Sequence, residues 1–329
     1  FPRLTEQDSL SAAQKILASW QKAPFTWEGR VFSLNASIGI AESAPGLDCR
    51  ELLSRADSAC TIAKERGNGQ IVSYREIDQR HEQLQAQMSW ASKLPPMLED
   101  DRFVLFYQKM EVLQLELGHP EHAEILLRAI DEDGKIVAPG LFLPAAERFG
   151  LINQIDQWVA KNALSQRFPS NTVLGINLSA PTLSNPDLLP LLETWVQNSP
   201  NPASNICFEI TESAAMTDID SAKHFISRLK GLGCKFALDD FGSGFSSFSY
   251  LKELHVDYLK IDGSLIRNLE RSDSDIVFVA AIIQMGKALK LRVIAEFVEN
   301  DLQKEILRTL GVDYAQGYAV HKPEPLPAS

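Results

Sequence analysis

Residues 235–240, Lys235-Phe236-Ala237-Leu238-Asp239-Asp240, and residues 257–262, Asp257-Tyr258-Leu259-Lys260-Ile261-Asp262, decide how this chain is read. Each is a short apolar run of strand character that ends on charged side chains. Between them lies a glycine-rich turn, Phe241-Gly242-Ser243-Gly244-Phe245-Ser246-Ser247, which follows the acidic pair directly and reads as a loop able to carry Asp240 into a site. A carboxylate at the end of an apolar strand is costly to bury unless it is paired or holds a cation. Found once, such a residue reads as a satisfied hydrogen-bonding group. Found in strand after strand, it reads as a site.

Working outward, the pattern repeats. Apolar runs at Phe103–Tyr107, Ala123–Ala129, Thr172–Ile176, Asn205–Ile210, Arg292–Ala295 and Tyr314–Gln316 complete the set, and they bring Glu124, Asn177, Glu209, Glu296 and Gln316 to equivalent places. Helical periodicity separates most of them, at Asp156–Arg167, Ser221–Leu232, Asp273–Leu289 and Leu302–Leu310. Eight strands alternating with helices predict a (β/α)8 barrel, a fold of ~250 residues whose C-terminal strand ends converge on one mouth. A doubly wound sheet competes, but no G-x-G-x-x-G loop follows any strand.

The converging set is all oxygen donors plus Lys260, with no His or Cys, which suits Mg2+ or Mn2+ better than zinc. Five carboxylates, Glu124, Glu209, Asp239, Asp240 and Glu296, exceed what one Mg2+ takes and favour a two-metal site with ions ~3.5–4 Å apart. Lys260 reads either as a partner of a neighbouring carboxylate or as the group that positions an attacking water and stabilises charge on phosphorus. Asp262 reads as a ligand or a loop-organising acid, and Glu212 as an anchor of the glycine-rich loop. His119 and His122 read as part of an exposed polar loop.

Composition bounds the rest. The 329 residues carry 32 basic and 43 acidic side chains, a net charge of −11, which argues against a broad nucleic-acid-binding face and so against DNA as a partner. With 45% hydrophobic and 23% charged residues the chain is globular in composition. The longest apolar run, Ile276–Ile283, is too short to span a bilayer. Cys49, Cys60, Cys207 and Cys234 form no C-x-x-C pair and read as reduced, mostly buried thiols of a cytoplasmic protein. At ~150 residues per domain the length suggests about two domains. Residues 1–75 offer two helices, Ser9–Trp20 and Cys49–Arg66, and two strands, Val31–Ile40 and Gln70–Tyr74. That is thin for an independent α/β domain. Residues 76–99 read as a connecting helix that Pro95-Pro96 interrupts.

The motifs of the second half resemble the EAL domain family of cyclic-di-GMP phosphodiesterases. The likeness rests on Glu124-Ile125-Leu126-Leu127-Arg128, Asn177-Leu178-Ser179, Glu209-Ile210-Thr211-Glu212, Asp239-Asp240-Phe241-Gly242, Lys260-Ile261-Asp262, Ala295-Glu296-Phe297-Val298-Glu299 and Gln316-Gly317-Tyr318, in that order over residues 93–326. The resemblance implies a modified (β/α)8 barrel, TIM-like, with its first strand antiparallel. It implies metal-dependent hydrolysis of cyclic-di-GMP to linear pGpG by in-line attack of a metal-activated water, in bacterial second-messenger signalling. A catalytically weak or inactive cyclic-di-GMP receptor is the alternative, and a barrel enzyme for another phosphodiester a third. By resemblance Glu124, Asn177, Glu209, Asp239, Asp240 and Glu296 are metal ligands. Lys260, Glu296 and Glu124 are catalytic, and Gln108, Arg128 and Gln316 contact substrate. Glu212, Asp262 and Glu299 anchor the loop. Mg2+ or Mn2+ is the implied cofactor, with Ca2+ inhibitory, and a homodimer through the barrel is implied.

The chain departs from the family pattern in places. It has Glu-Ile-Leu for Glu-Ala-Leu, Gln108-Lys109-Met110 for Gln-Pro-Ile, the Gly118–His122 segment for a usual tight turn, and Phe297 where the family places glycine. Residues 1–75 resemble the C-terminal part of a GGDEF domain through Ser37-Ile38-Gly39-Ile40, Ala56-Asp57-Ser58-Ala59 and Ala63-Lys64-Glu65-Arg66-Gly67-Asn68. The signature of that family is not in this sequence, so no cyclase activity is expected. The expected division is therefore 1–75 GGDEF-like, 76–99 connecting helix and 100–329 EAL. A sensor domain is expected upstream, and the parent protein could be membrane-anchored there.

Overall fold

The computed structural model describes residues 5–22, 25–27, 30–32, 35–44, 46–67, 69–114, 119–242 and 250–326. The chain divides into two compact units, 1–89 and 90–329. The first unit holds α1 (Glu6–Lys22), an antiparallel pair β1 (Phe25–Trp27) and β2 (Arg30–Phe32), then β3 (Ile38–Ile40), α2 (Cys49–Glu65) and β4 (Ile71–Ser73). β3 and β4 are parallel, and α2 is the crossover between them. Gly39 lets α2 lie close on β3, since a Cβ there would collide with the Ala56 carbonyl. Ala59, Ala63, Val72 and Ile77 form the small core. The alternating stretch Val31–Ile40 is not one strand, as its pattern predicts. β2 ends at Phe32 and pairs with β1, while β3 begins at Ile38 and pairs with β4. Local alternation is blind to this change of partner.

α3 (Tyr74–Glu99) runs through Pro95 and Pro96, contrary to the expected interruption. A helix-interior proline costs ~3 kcal/mol or more. Here the flanking Leu94 and Met97 are fully buried in the core of the second unit, and each such side chain contributes ~1.5–3 kcal/mol. Packing therefore overrides the local signal.

The second unit continues with β5 (Phe103–Val112), β6 (Glu121–Ile130), β7 (Ile136–Val137), α4 (Leu143–Arg148), α5 (Ile152–Ser165), β8 (Thr172–Leu178), α6 (Ala180–Leu183), α7 (Leu188–Gln197) and β9 (Ile206–Thr211). Then come α8 (Glu212–Thr217), α9 (Ile219–Gly231), β10 (Lys235–Phe241), α10 (Leu251–Leu254), β11 (Tyr258–Ile261), α11 (Gly263–Ile266), α12 (Asp273–Ala288), β12 (Arg292–Ala295), α13 (Asp301–Leu310), β13 (Tyr314–Ala315) and β14 (Glu324–Pro325). Strands β6, β8, β9, β10, β11, β12 and β13 pair in parallel in that order, and β5 closes the ring antiparallel to both β13 and β6. This is the expected closed barrel with one reversed strand.

Alternation sorts the side chains. Leu174, Ile176 and Leu178 of β8 join the large core beneath the helices. The barrel interior has two storeys. Towards the N-terminal ends of the parallel strands, the foot, Met110, Val173, Cys207, Ala237, Tyr258, Ile294 and Tyr314 pack together. His122 sits among them, 1% exposed, with its ring against Tyr258 and Tyr314. The expected exposed His119–His122 loop is therefore wrong. His119 binds Asp313 Oδ1 at 3.0 Å, and strand β6 begins early enough to carry His122 inside.

Candidate active site at the barrel mouth

One pleat beyond the foot, the interior turns polar. Glu124 follows His122, Glu209 follows Cys207, Asp239 follows Ala237, Lys260 follows Tyr258 and Gln316 follows Tyr314, each two residues on. Lys260 is fully buried, and its Nζ lies 2.6 Å from Glu209 Oε2, 2.9 Å from Glu296 Oε1, 3.1 Å from Glu124 Oε2 and 3.2 Å from Asp239 Oδ2. Burial alone would lower the Lys260 pKa, but Asp239, Glu124, Glu209 and Glu296 together hold it well above its usual value.

Around this ammonium the expected residues converge. Asn177 Nδ2 donates to Glu124 Oε1 at 2.6 Å, and Gln316 Nε2 donates to Glu124 Oε2 at 2.7 Å and to Gln108 Oε1 at 3.1 Å. Gln108 stands opposite Glu124 in the β5–β6 register and donates to the His321 carbonyl at 2.7 Å. Both glutamines are thus buried; Gln316 orients Glu124, and Gln108 holds Gln316. Arg128 is half-buried over the Phe106 ring, 5.3 Å from its centroid.

Local backbone explains how two successive aspartates serve one mouth. Simple alternation would send Asp239 inward and Asp240 away. Instead the β10–β11 register shifts between Leu238 and Phe241, and Asp240 adopts φ +55°. Ligand oxygens of Asp239, Asp240 and Glu296 then lie within 4.8 Å of one another. Phe241 swings into the core. On β8, Gly175 makes room for the Glu209 carboxylate, because a Cβ there would collide with Oε1.

The anchoring residues behave differently from one another. Glu212 accepts from Tyr250 Oη at 2.6 Å and from the Gly242 N–H at 3.4 Å. Asp262 caps α11 through the Ser264 N–H at 2.9 Å. Glu299 is exposed, and its backbone N–H donates to Gln303 Oε1 at 2.7 Å. Residues Ser243–Ser247 of the glycine-rich turn lie outside the described residues, as does Gly118. Asp156 escaped the sequence reading. Its buried carboxylate accepts from the Ser179 N–H and Oγ at 2.9 and 2.6 Å and from Thr182 Oγ1 at 2.6 Å, fixing the turn two residues after Asn177. An acid among the buried positions Ile152, Ile155, Val159 and Ala160 of α5 was the available signal.

The electrostatics are unfinished. Burial raises the carboxyl pKa of Glu209 well above its usual value, raises that of Asp239, and pushes Glu296 up to about 8. Asp240 is raised by burial and by Asp239. Burial pushes Glu124 the same way, yet Lys260, Gln316 and Asn177 bring it below its usual value. Four carboxylates share one ammonium, and the buried Glu209 Oε1 has no hydrogen-bond partner. An orphaned hard oxygen among excess carboxylates fits divalent cations of the Mg2+ type. No helix among the described residues is long and apolar enough to cross a membrane.

Comparison with known proteins agrees with this architecture. The cyclic di-GMP phosphodiesterase PdeB of Shewanella oneidensis is 36% identical over 301 residues, covering 90% of this chain and 35% of the relative. The bifunctional diguanylate cyclase/cyclic di-GMP phosphodiesterase MucR of Pseudomonas aeruginosa is 32% identical over 325 residues, 97% of this chain and 47% of the relative. The chain thus spans about a third to a half of these relatives. A solved structure of the PaMucR phosphodiesterase in complex with c-di-GMP superposes with a TM-score of 0.67 at 33% identity, covering 72% of this chain and 98% of that one. The EAL domain profile matches residues 91–323, the stretch that builds the barrel and every residue of its mouth, so this chain belongs to the EAL domain family.

Proposed function

We propose that this chain hydrolyses cyclic-di-GMP to linear pGpG at the barrel mouth. The observation that carries the reading is the complete oxygen set around Lys260, four carboxylates on one buried ammonium with Asn177 and Asp240 beside them. Glu124, Asn177, Glu209, Asp239, Asp240 and Glu296 would hold Mg2+ or Mn2+, most simply as two ions. When bound, these supply Lewis-acid charge to the phosphodiester and acidify water. Lys260 Nζ, fixed by its carboxylates, orients the attacking water by hydrogen bonding and offsets negative charge growing on phosphorus. Water forms the new P–O bond, the P–O3′ bond breaks, and the 3′ oxygen leaves with a proton. Gln316 and Asn177 keep Glu124 in one orientation, Gln108 holds Gln316, and Arg128 offers the second phosphate a cation. Glu212, with Tyr250, holds the Gly242 end of the glycine-rich turn.

The wider assignments rest on the same likeness. Residues 1–75 as the end of a GGDEF domain are supported by the crossover β3–α2–β4 and by the reach of the MucR match over 97% of the chain. A homodimer through the barrel, an upstream sensor and a cytoplasmic site of action accompany that reading, the last supported by four free cysteines.

Purified protein with Mg2+ or Mn2+ should convert cyclic-di-GMP to pGpG, resolved by chromatography. Glu124→Ala should slow it ~100-fold or more. Equal rates for both proteins refute the assignment. Tight binding without turnover by the wild type makes the chain a receptor instead.

A further inference from the structure

Phe297 stands beside Glu296 at the rim of the mouth with φ +53°, a left-handed conformation unfavourable to a side chain. The barrel imposes that turn. The Glu296 N–H donates to the Ile261 carbonyl at 3.3 Å, the Val298 N–H donates to the Gln316 carbonyl at 2.9 Å, and Val298 is fully buried. Glycine would make the same turn without strain. Packing does not explain the phenyl group either, since 47% of Phe297 is exposed. Strain and apolar exposure retained together next to a charged site point to recognition.

The ring has a built seat. Gly263 at the start of α11 lies directly behind it, and a Cβ at Gly263 would collide with the ring. The Arg267 guanidinium, exposed and one turn along, sits 4.6 Å from the ring centroid. A ring held against backbone and covered by an exposed guanidinium presents a flat cationic outer surface, the chemistry that stacks a nucleobase, and the guanidinium also donates to the O6 and N7 acceptors of guanine. The carboxylate cluster begins at the adjacent residue, so a phosphodiester held there would carry its base to this rim.

Resting on the proposed phosphodiesterase reading, we propose that Phe297, seated on Gly263, and the Arg267 guanidinium laid over it form a specificity-determining shelf on which one purine base of the cyclic dinucleotide stacks. Phe297 binds and does no chemistry.

Steady-state kinetics of the full chain with Mg2+ tests this. Phe297→Ala should raise KM for cyclic-di-GMP by about 5- to 150-fold, the affinity equivalent of one lost base stack, and lower kcat by less than about threefold. Phe297→Trp should restore KM to within about threefold of wild type. Gly263→Ala, which displaces the ring without altering it, should raise KM as Phe297→Ala does. With methyl p-nitrophenyl phosphate, a phosphodiester without bases, Phe297→Ala should change kcat/KM by less than about threefold. A KM for cyclic-di-GMP within about twofold of wild type in Phe297→Ala, or an equal loss on the base-free diester, overturns the shelf. If the wild type binds cyclic-di-GMP without cleaving it, the hydrolytic reading fails. The shelf is then judged by calorimetric Kd, with the same fold-change expected for Phe297→Ala.

Discussion

The foot and the mouth of the barrel are built by the same strands, one pleat apart, and both are buried, yet they solve burial in opposite ways. At the foot, His122, Cys207, Tyr258 and Tyr314 meet as uncharged rings and thiol, with Tyr314 Oη donating to the Pro120 carbonyl at 3.1 Å. At the mouth, Glu124, Glu209, Asp239 and Glu296 crowd one ammonium. The foot leaves the two His122 ring nitrogens without a partner but carries no charge, whereas the mouth sets four carboxylates against one ammonium. A scaffold can tolerate a crowded charged storey because the uncharged, packed one beneath it fixes the strand register.

Removing the centre of the mouth should show this most strongly. Lys260→Met leaves four carboxylates facing one another, and breaking a buried ion pair from one side costs ~3–5 kcal/mol. Denaturant unfolding of metal-free protein should show a loss of that size. Tyr258→Phe, the neighbouring change at the foot, removes only a hydroxyl 3.5 Å from Lys235 Nζ and should cost ~0.5–1.5 kcal/mol. Equal costs would erase the contrast.

Divalent metal should act next in size, and with a definite sign. Burial pushes the Glu296 carboxyl up to about 8 and raises Glu209 and Asp239 in the same direction. Carboxyls raised in the folded state keep protons that the unfolded chain releases. Metal-free stability should therefore fall as pH rises from the ordinary carboxylate range, ~4.3, towards 8. Mg2+ at ~100 times its Kd adds ~2.7 kcal/mol of stability. Because it displaces those protons, the gain in Tm should be larger at pH 8 than at pH 6. A gain independent of pH, measured by scanning calorimetry, would contradict the electrostatic account.

The foot predicts the reverse slope. Burial, then the charges of Lys260, Lys235 and Arg292, lower His122 from 6.5 to about 3. The unfolded chain takes up the proton first, so stability from this residue is present above 6.5 and lost as pH falls towards 3. His122→Phe removes the titrating ring and its unpartnered nitrogens and should flatten the acid limb by ~1–3 kcal/mol. An unchanged acid limb would place the acid sensitivity elsewhere.

Legibility in the sequence follows the same division. The mouth was readable because acids and amides at the ends of apolar runs break a pattern, and Glu124, Asn177, Glu209, Asp239 and Glu296 all do so. The barrel was readable from its alternating periods. Other features depend on tertiary partners. The bulge that turns Asp240 inward arises from pairing with β11, and His122 lies inside because β6 begins at Glu121. α3 survives its prolines because Leu94 and Met97 are buried. No local propensity encodes these outcomes.

The smallest expected effect has the opposite sign to the others and concerns strain. No residue of the foot ring has positive φ, whereas Asp240 and Phe297 at the mouth both do. A left-handed L-residue costs ~1–2 kcal/mol. Phe297→Gly removes that cost and gives up an exposed contact with Arg267 worth ~0.5–1 kcal/mol. The variant should therefore be at least as stable as wild type, by ~0–1.5 kcal/mol in urea unfolding, while cyclic-di-GMP affinity falls. A destabilised Phe297→Gly would mean that the ring is retained for packing on Gly263. Stabilisation with weakened binding would place the strain at the mouth in the service of recognition, next to the carboxylates proposed to hold metal.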